Sequence, residues 1–330
     1  MVQKGEHKNM NILVSCAGGP AAVGVIKSFH DFDSQGEHKI VAIDCDELSV
    51  GFHLADRGYV VPFSVEDDYW KEVLKVIRKE EIDVIVPTGD ADIVHFARNS
   101  MMMHDLGVVN FMSNYKTIIT CQDKWSFYNH MYVNGLEDLL PKTSDNDRDI
   151  SFPKICKPRR GSGSRGIELW RSKDDIKDFS STENLHYSND YIYQEYLPGT
   201  EYTIDVLCGL YGEVLSVIPR ERLQTKAGIS SKGRILRDKK IEESCIKLCE
   251  SLKVKGPVCI QMKEDVRGEP KFVEINPRLG GGTYFTTLAG VNFMKIMIDI
   301  LNAKRFSTKN MKIPSPKEIT VLRYYNEVVV

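Results

Sequence analysis

Three runs in the first third of the chain are almost wholly apolar: NILVSCA from Asn11, KIVAIDCD from Lys39 and IDVIVPTGD from Ile82. A strand that faces water on one side alternates apolar and polar residues, whereas one that is apolar throughout is covered on both faces, as in a parallel sheet. Stretches of helical periodicity separate the runs, at about 21–32 and 67–80. The pattern predicts a doubly wound domain over residues 11–118, with its ligand crevice at the carboxyl ends of the strands, where residues 17–19 and 87–92 fall.

Further on the pattern changes. Residues 119–190 are charged and carry the short strands FPKICKP and GIELW. From residue 191 come longer strands, YIYQEYL, EYTIDVLCGL, GEVLSVIPR, PVCIQMK and KFVEINPR, joined partly by the polar turns LYGE and DVRGEP. These predict a largely antiparallel sheet, with helices at about 238–253 and 288–302. The expected fold class is α/β followed by α+β, in three units: 1–118, 119–190 and 191–330. The stretch 144–149 reads as flexible.

Lys and Arg total 44 against 46 for Asp and Glu, so no broad positive field is available for nucleic acid. No apolar run approaches the roughly 18 residues of a membrane span, and the start MVQKGEHKNM has no signal-peptide core. The expectation is a cytoplasmic protein without nucleic-acid or membrane partners. Of the eight cysteines, Cys16, Cys45, Cys156, Cys208 and Cys259 sit in apolar strand-like runs and read as free buried thiols. Cys245 and Cys249 are four apart on a helix with no second pair at zinc-site spacing.

Four motifs carry chemistry. AGGPAAVG, with Asp44 ending the next strand, invites a dinucleotide reading, but it lacks G-x-G-x-x-G, and Pro20 removes a backbone donor. A small anion at this helix N-terminus, near Gly19, is the better alternative to a simple tight turn. Lys157 then runs into a loop, residues 158–166, with Gly161, Gly163, Gly166, Ser162 and Ser164 and several cations. Glycines let successive backbone N–H groups approach a phosphate, and the lysine adds a compact charge; the alternative is a solvated hairpin loop. The segment from Gln194 to Asp205 places a Pro-Gly turn between two strand ends. There the Glu195 carbonyl and the Leu197 N–H match the donor and acceptor edge of adenine, with Glu201 near ribose, unless the turn is merely exposed and acidic. Finally, Glu274 and Asn276 share one face of a strand, Gln261 lies on its neighbour, and Arg278 follows on the same face if the strand runs through Pro277. Hard oxygen donors on one face suit magnesium; the rival is a polar face open to water.

Taken in order, KP-x-x-GSGS-x-G, QEYLPG-x-E and EINPR-x-GGG resemble the ATP-grasp superfamily, closest to the branch with the carbamoyl-phosphate synthase large chain and biotin carboxylase. The resemblance covers nearly the whole chain and implies a pre-ATP-grasp domain followed by a two-lobed ATP-grasp fold. It implies ATP between the lobes, with Lys124 and Lys157 on its phosphates and a loop carrying Gly163 and Ser164 closing over them. Glu195 and Leu197 would hold adenine and Glu201 ribose, while Glu274, Asn276 and Gln261 would hold two magnesium ions, or manganese in their place. Arg278, with Lys157, would act on the transferring phosphate. Many relatives have a carboxylate at the position of Gln261, although the carbamoyl-phosphate branch has glutamine. The chain carries one synthetase half and no glutaminase signature, so it resembles a stand-alone ligase, and many such relatives are homodimers.

The resemblance implies an enzyme that activates a small carboxylate as an acyl phosphate and joins it to an amine, releasing ADP and phosphate. The alternatives are a carbamoyl-phosphate-synthase-like phosphorylating enzyme and a non-catalytic ATP-binding regulator. Arg220, in the run from Val217 to Lys232, is the expected substrate contact together with Gly19; a basic surface turn is its rival. Asp90 and Asp92 either hold an amino group or cap the next helix, and the cap is preferred.

Overall fold

The computed structural model describes residues 9–161, 163, 165–176, 190–303, 307–309 and 311–330. The first part runs β1 (Asn11–Ser15), α1 (Pro20–Phe32), β2 (Lys39–Asp44), α2 (Gly51–Leu54), β3 (Arg57–Val60), α3 (Tyr69–Lys79), β4 (Val84–Val86), α4 (Asp90–Arg98), α5 (Ser100–Asp105) and β5 (Val109–Asn110). Its five strands are parallel in the order β3-β2-β1-β4-β5. The continuous apolar runs have a direct cause: alternate residues feed two different cores. Ile12, Val14, Ile40, Val84 and Val86 enter one core with α1, whereas Leu13, Val41, Ile43 and Ile85 enter a second with α3 and α4. The strand order reverses between β1 and β4, which opens the crevice there.

Two antiparallel sheets follow. After α6 (Tyr115–Gln122) and α7 (Lys124–Val133), β6 (Thr143–Ser144), β7 (Lys154–Pro158), β8 (Glu168–Trp170) and β9 (Tyr191–Glu195) form a sheet ordered β6-β9-β7-β8. Then β10 (Glu201–Cys208), β11 (Val214–Lys226), β12 (Ile229–Ile235), β13 (Gly256–Glu264), β14 (Pro270–Asn276) and β15 (Thr320–Leu322) form a six-stranded sheet, β14-β13-β10-β11-β12-β15. Helix α8 (Lys239–Leu252) covers one face: Ile241, Cys245, Leu248, Cys249 and Leu252 recur at helical spacing and pack on Ile204, Val206, Val258 and Ile260. The opposite face, through Leu207, Ile218 and Ile235, shares a core with α1 and with α10 (Phe293–Asn302). The first sheet and the large sheet are therefore joined by one apolar core.

Several expectations are corrected. The single helix at 288–302 is two, α9 (Thr283–Leu288) and α10, because Gly290 takes a φ of +95° and Asn292 caps α10 by accepting from the Met294 and Lys295 N–H groups. Strands β3, β5, β12 and β15 carry no signal in the reading above. The stretch 144–149 begins in β6 and folds into a 3₁₀ turn in which Ser144 Oγ donates to Asp149 at 2.8 Å. All eight cysteines are free, but Cys16 and Cys45 lie just past their strands and are half-buried. Among the described residues, no helix is long and apolar enough to cross a membrane.

Candidate active site

Strands β7 and β9 of the small sheet face β13 and β14 of the large one across a cleft of about 220 Å³. Lys157, the last residue but one of β7, lines this gap, donating to Gln194 Oε1 at 2.8 Å and to the Val273 carbonyl at 3.3 Å. Burial holds its ammonium down at about 7, against the Glu274 carboxylate, which favours the charged form, while Lys124 opposes it. Lys124 opens α7, where Asp123 is the N-cap and accepts from the Trp125 and Ser126 N–H groups. Its ammonium donates to the Gly161 carbonyl at 3.1 Å and lies 3.9 Å from Glu274.

Glu195 and Leu197 line the far end of the cleft. The Glu195 carboxylate is turned out to the Lys142 N–H at 2.9 Å, so the side chain is anchored away from the cleft contents. Gly199 makes the turn possible: a Cβ there would stand 2.5 Å from Glu264 Cβ. Glu201 is already paired with Arg222 at 2.6 Å, and Arg222 also donates to Gly228 O at 2.6 Å and lies 3.4 Å from Gln261 Oε1. Gly163 lines the cleft, whereas Ser164 lies outside the described residues.

The structure brings Gln261, Glu274 and Asn276 together on β13 and β14. Gln261 pairs with Glu274 across β13 and β14, and Asn276 Nδ2 donates to Glu274 Oε1 at 3.2 Å. One carboxylate and two amides form a sparse ligand set, and no cluster of three His, Cys, Asp or Glu exists among the described residues. Such a set fits a cation that takes most of its oxygens from phosphates and water, as magnesium does.

A second cavity of about 240 Å³ adjoins the first at Gln261 and Glu274 and reaches the first-domain crevice at Gly19 and Thr88. Arg220, Arg222 and Arg278 line it. Arg220 is buried to 1% exposure and pairs with Asp205 at 2.7 Å, yet its Nε has no partner among the described residues; nor has the Nε of Arg222. The basic-turn reading of this run is thereby overturned at Arg220, which points inward. Glycine at 282 leaves it room, since a Cβ there would stand 2.4 Å from the guanidinium. Gly19 is the N-cap of α1, but its N–H is spent on Cys16 O and that of Gly18 on Asp44, so the turn retains fewer donors for an anion than expected.

Two expectations about Arg278 and Asp90 fail together. Strand β14 ends at Asn276, and Arg278 leaves the sheet for the first domain, where it donates to both Asp90 oxygens at 2.8 and 2.6 Å. Asp90 does not cap its helix; Gly89 is the N-cap, with no side-chain bond. Residues 188 positions apart form this pair, and a reading of local patterns had no signal for it. Gln194 was also missed as the partner of Lys157.

The fold defines a doubly wound domain followed by two antiparallel lobes that close on a common cleft, and comparison with known proteins agrees. Residues 188–328 match the family described as "ATP-grasp in the biosynthetic pathway with Ter operon", and residues 12–111 match "PylC-like, N-terminal domain". The chain thus carries an ATP-grasp domain behind a PylC-like N-terminal domain. It is similar to the arginine-specific carbamoyl phosphate synthase large chain of Halalkalibacterium halodurans, at 25% identity over 49% of this chain and 16% of that one. It is also similar to the D-alanine–D-alanine ligase of Aquifex aeolicus, at 26% identity over 46% of this chain and 56% of that one. The matches therefore span from about a sixth to just over half of these relatives' length. Among solved structures, the biotin carboxylase domain of Hydrogenobacter thermophilus 2-oxoglutarate carboxylase, described in complex with MgADP, ADP and bicarbonate, has a TM-score of 0.69 at 19% identity, over 93% of this chain and 73% of that one.

Proposed function

We propose that the chain is an ATP-dependent ligase that activates a small carboxylate as an acyl phosphate and joins it to an amine, releasing ADP and phosphate. The observation that carries this reading is the convergence of Lys124, Lys157 and Glu274 on one cleft whose far end is lined by Glu195 and Leu197. Adenine would lie against the backbone of Glu195 and Leu197, ribose near Glu201, and the triphosphate between Lys124 and Lys157 beneath Gly163. Glu274, Asn276 and Gln261 would hold magnesium; two ions, or manganese instead, belong to the same proposal. Bound there, the metal supplies charge neutralisation at the phosphoryl oxygens.

A free carboxylate resists amines because its leaving group would be oxide. In the first step a carboxylate oxygen bonds to the γ-phosphorus, and the bond to the β–γ bridging oxygen breaks with its electron pair leaving on ADP. Positioning and charge dominate such a transfer, so Lys157 has the larger share, and Arg278 joins it on the phosphate once its pair with Asp90 opens. In the second step the nitrogen of the neutral amine bonds to the acyl carbon, the carbon–oxygen bond to phosphate breaks with its pair on phosphate, and the proton that nitrogen gives up passes to the departing phosphate. The second cavity suits the anionic partner, since Arg220, Arg222 and Arg278 line it. Support from relatives is of the same kind: one is named for joining two amino acids, and another holds MgADP and bicarbonate. A non-catalytic regulator would have no need of Lys157, Glu274, Asn276 and Arg278 together.

The test is a screen of carboxylate and amine pairs for ADP release. The expected result is release that depends on one pair and falls about 10²-fold or more in Glu274→Gln. Release indifferent to the carboxylate, or undiminished in that variant, would contradict the proposal.

A further inference from the structure

A third cavity, of about 230 Å³, meets the other two at Glu274. Asp90, Ala91, Gln122 and Lys124 wall it on the side of the first domain and the helices that follow, and Arg160, Gly161 and Asn276 on the side of the lobes. The Asp90–Arg278 pair is the partition: Asp90 lines the third cavity and Arg278 the second. Both ends are partly accessible, with side-chain exposures of 27% and 14%.

Charge sorts the two cavities. Three arginines line the second, paired with Asp205, Glu201 and Asp90 but with the Nε of Arg220 and of Arg222 left without a partner among the described residues, and Glu274 is the one acidic side chain among its described lining residues. An ammonium entering there meets like charge, whereas a carboxylate is drawn in. The third cavity adds the Asp90 carboxylate and the Gln122 side chain. Its two cations have prior partners: Arg160 lies 3.3 Å from Asp123, and Lys124 is assigned above to the triphosphate. With nucleotide bound, the acidic group left to a newcomer is Asp90.

Resting on the ligase reading, we infer that the third cavity is the entry and binding site of the acceptor amine, whose ammonium group engages Asp90 in competition with Arg278. Loosening that pair frees the guanidinium toward the second cavity, where the acyl phosphate would lie. Amine arrival is thereby linked to charge stabilisation of the departing phosphate. The site takes a primary amine with N–H donors and excludes a quaternary ammonium, which has none.

The test uses the full chain loaded with Mg·AMP-PNP and isotope-labelled at arginine. The Arg278 Nε–H resonance is assigned by its loss in Arg278→Lys and followed while methylammonium chloride is added, with tetramethylammonium chloride as the ionic-strength control. The expected result is a saturable shift with methylammonium alone, weakened about tenfold or more in Asp90→Asn. No shift, an equal shift with both ions, or an undiminished response in Asp90→Asn would overturn the inference. Should Asp90→Asn fail to fold, Ala91→Leu narrows the mouth instead. It should weaken cyclohexylammonium about tenfold more than methylammonium, and equal effects would overturn the inference. A protein that binds no AMP-PNP removes the ligase reading and this inference with it; one that binds AMP-PNP and ignores methylammonium removes the inference alone.

Discussion

Lys157 is where burial and charge conflict most sharply. Taken out of water, its ammonium falls from the ordinary 10.5 to about 7, with Glu274 opposing that shift and Lys124 adding to it. A triphosphate beside it would favour the charged form, so above pH 7 nucleotide binding takes up a proton. The affinity for AMP-PNP should therefore weaken as pH rises from 7 to 9, by at most about tenfold per unit, and calorimetry in buffers of different ionisation enthalpy should record the uptake. Lys157→Met should flatten that dependence; an identical slope in the variant would contradict the assignment. The same shift has a consequence for the empty protein. Between about 7 and 10.5 the unfolded chain holds the proton and the folded chain does not, so this group adds stability as pH rises through that window. Position and type were both legible in the sequence at this residue, because a lysine ending a strand before a Gly/Ser loop has few structural uses. Its hold on Gln194 was not, because that bond crosses 37 positions between two strands whose pairing no local pattern reveals.

The β11–β12 hairpin shows what an element adds. Arg220 and Arg222 are two apart, so a strand places them on one face, and that much follows from period-two alternation. Whether the face is wet or dry depends on what lies opposite, and here it is Asp205 on β10 and Thr286 on α9. Arg220 and Asp205 are each 1% exposed. Removing one partner strands the other, so Asp205→Ala should cost about 3–5 kcal/mol in urea unfolding, far more than loss of a surface pair. A cost under about 1 kcal/mol would show that the pair is solvated in practice. At β14 the sequence reading of Glu274 and Asn276 on one face holds, yet the strand stops before Pro277, which cannot donate to a ladder. Arg278 is thereby released to the first domain.

At the scale of the molecule, the doubly wound domain is not an appendage. Its Phe29, on α1, shares a core with Phe285, Phe293 and Met297 from the far end of the chain. Phe29→Ala should cost about 3–5 kcal/mol and lower the unfolding midpoint of both halves in one transition, followed together by far-UV dichroism and tryptophan fluorescence. Two separated transitions, with only the first shifted, would contradict a shared core. The parallel sheet and the order of the three motifs were readable because each rests on residues close in sequence. The cavities between the domains were not, being built from side chains that only the fold brings together, as Asp90 and Arg278 do. The most direct test of the central claim is a crystal structure of the complex with AMP-PNP and magnesium. It should show adenine against the backbone of residues 195–197, the phosphates between Lys124 and Lys157, and metal on Glu274 and Asn276. Nucleotide seated instead at Gly18 and Gly19 in the first-domain crevice, or none in the cleft at saturating concentration, would contradict it.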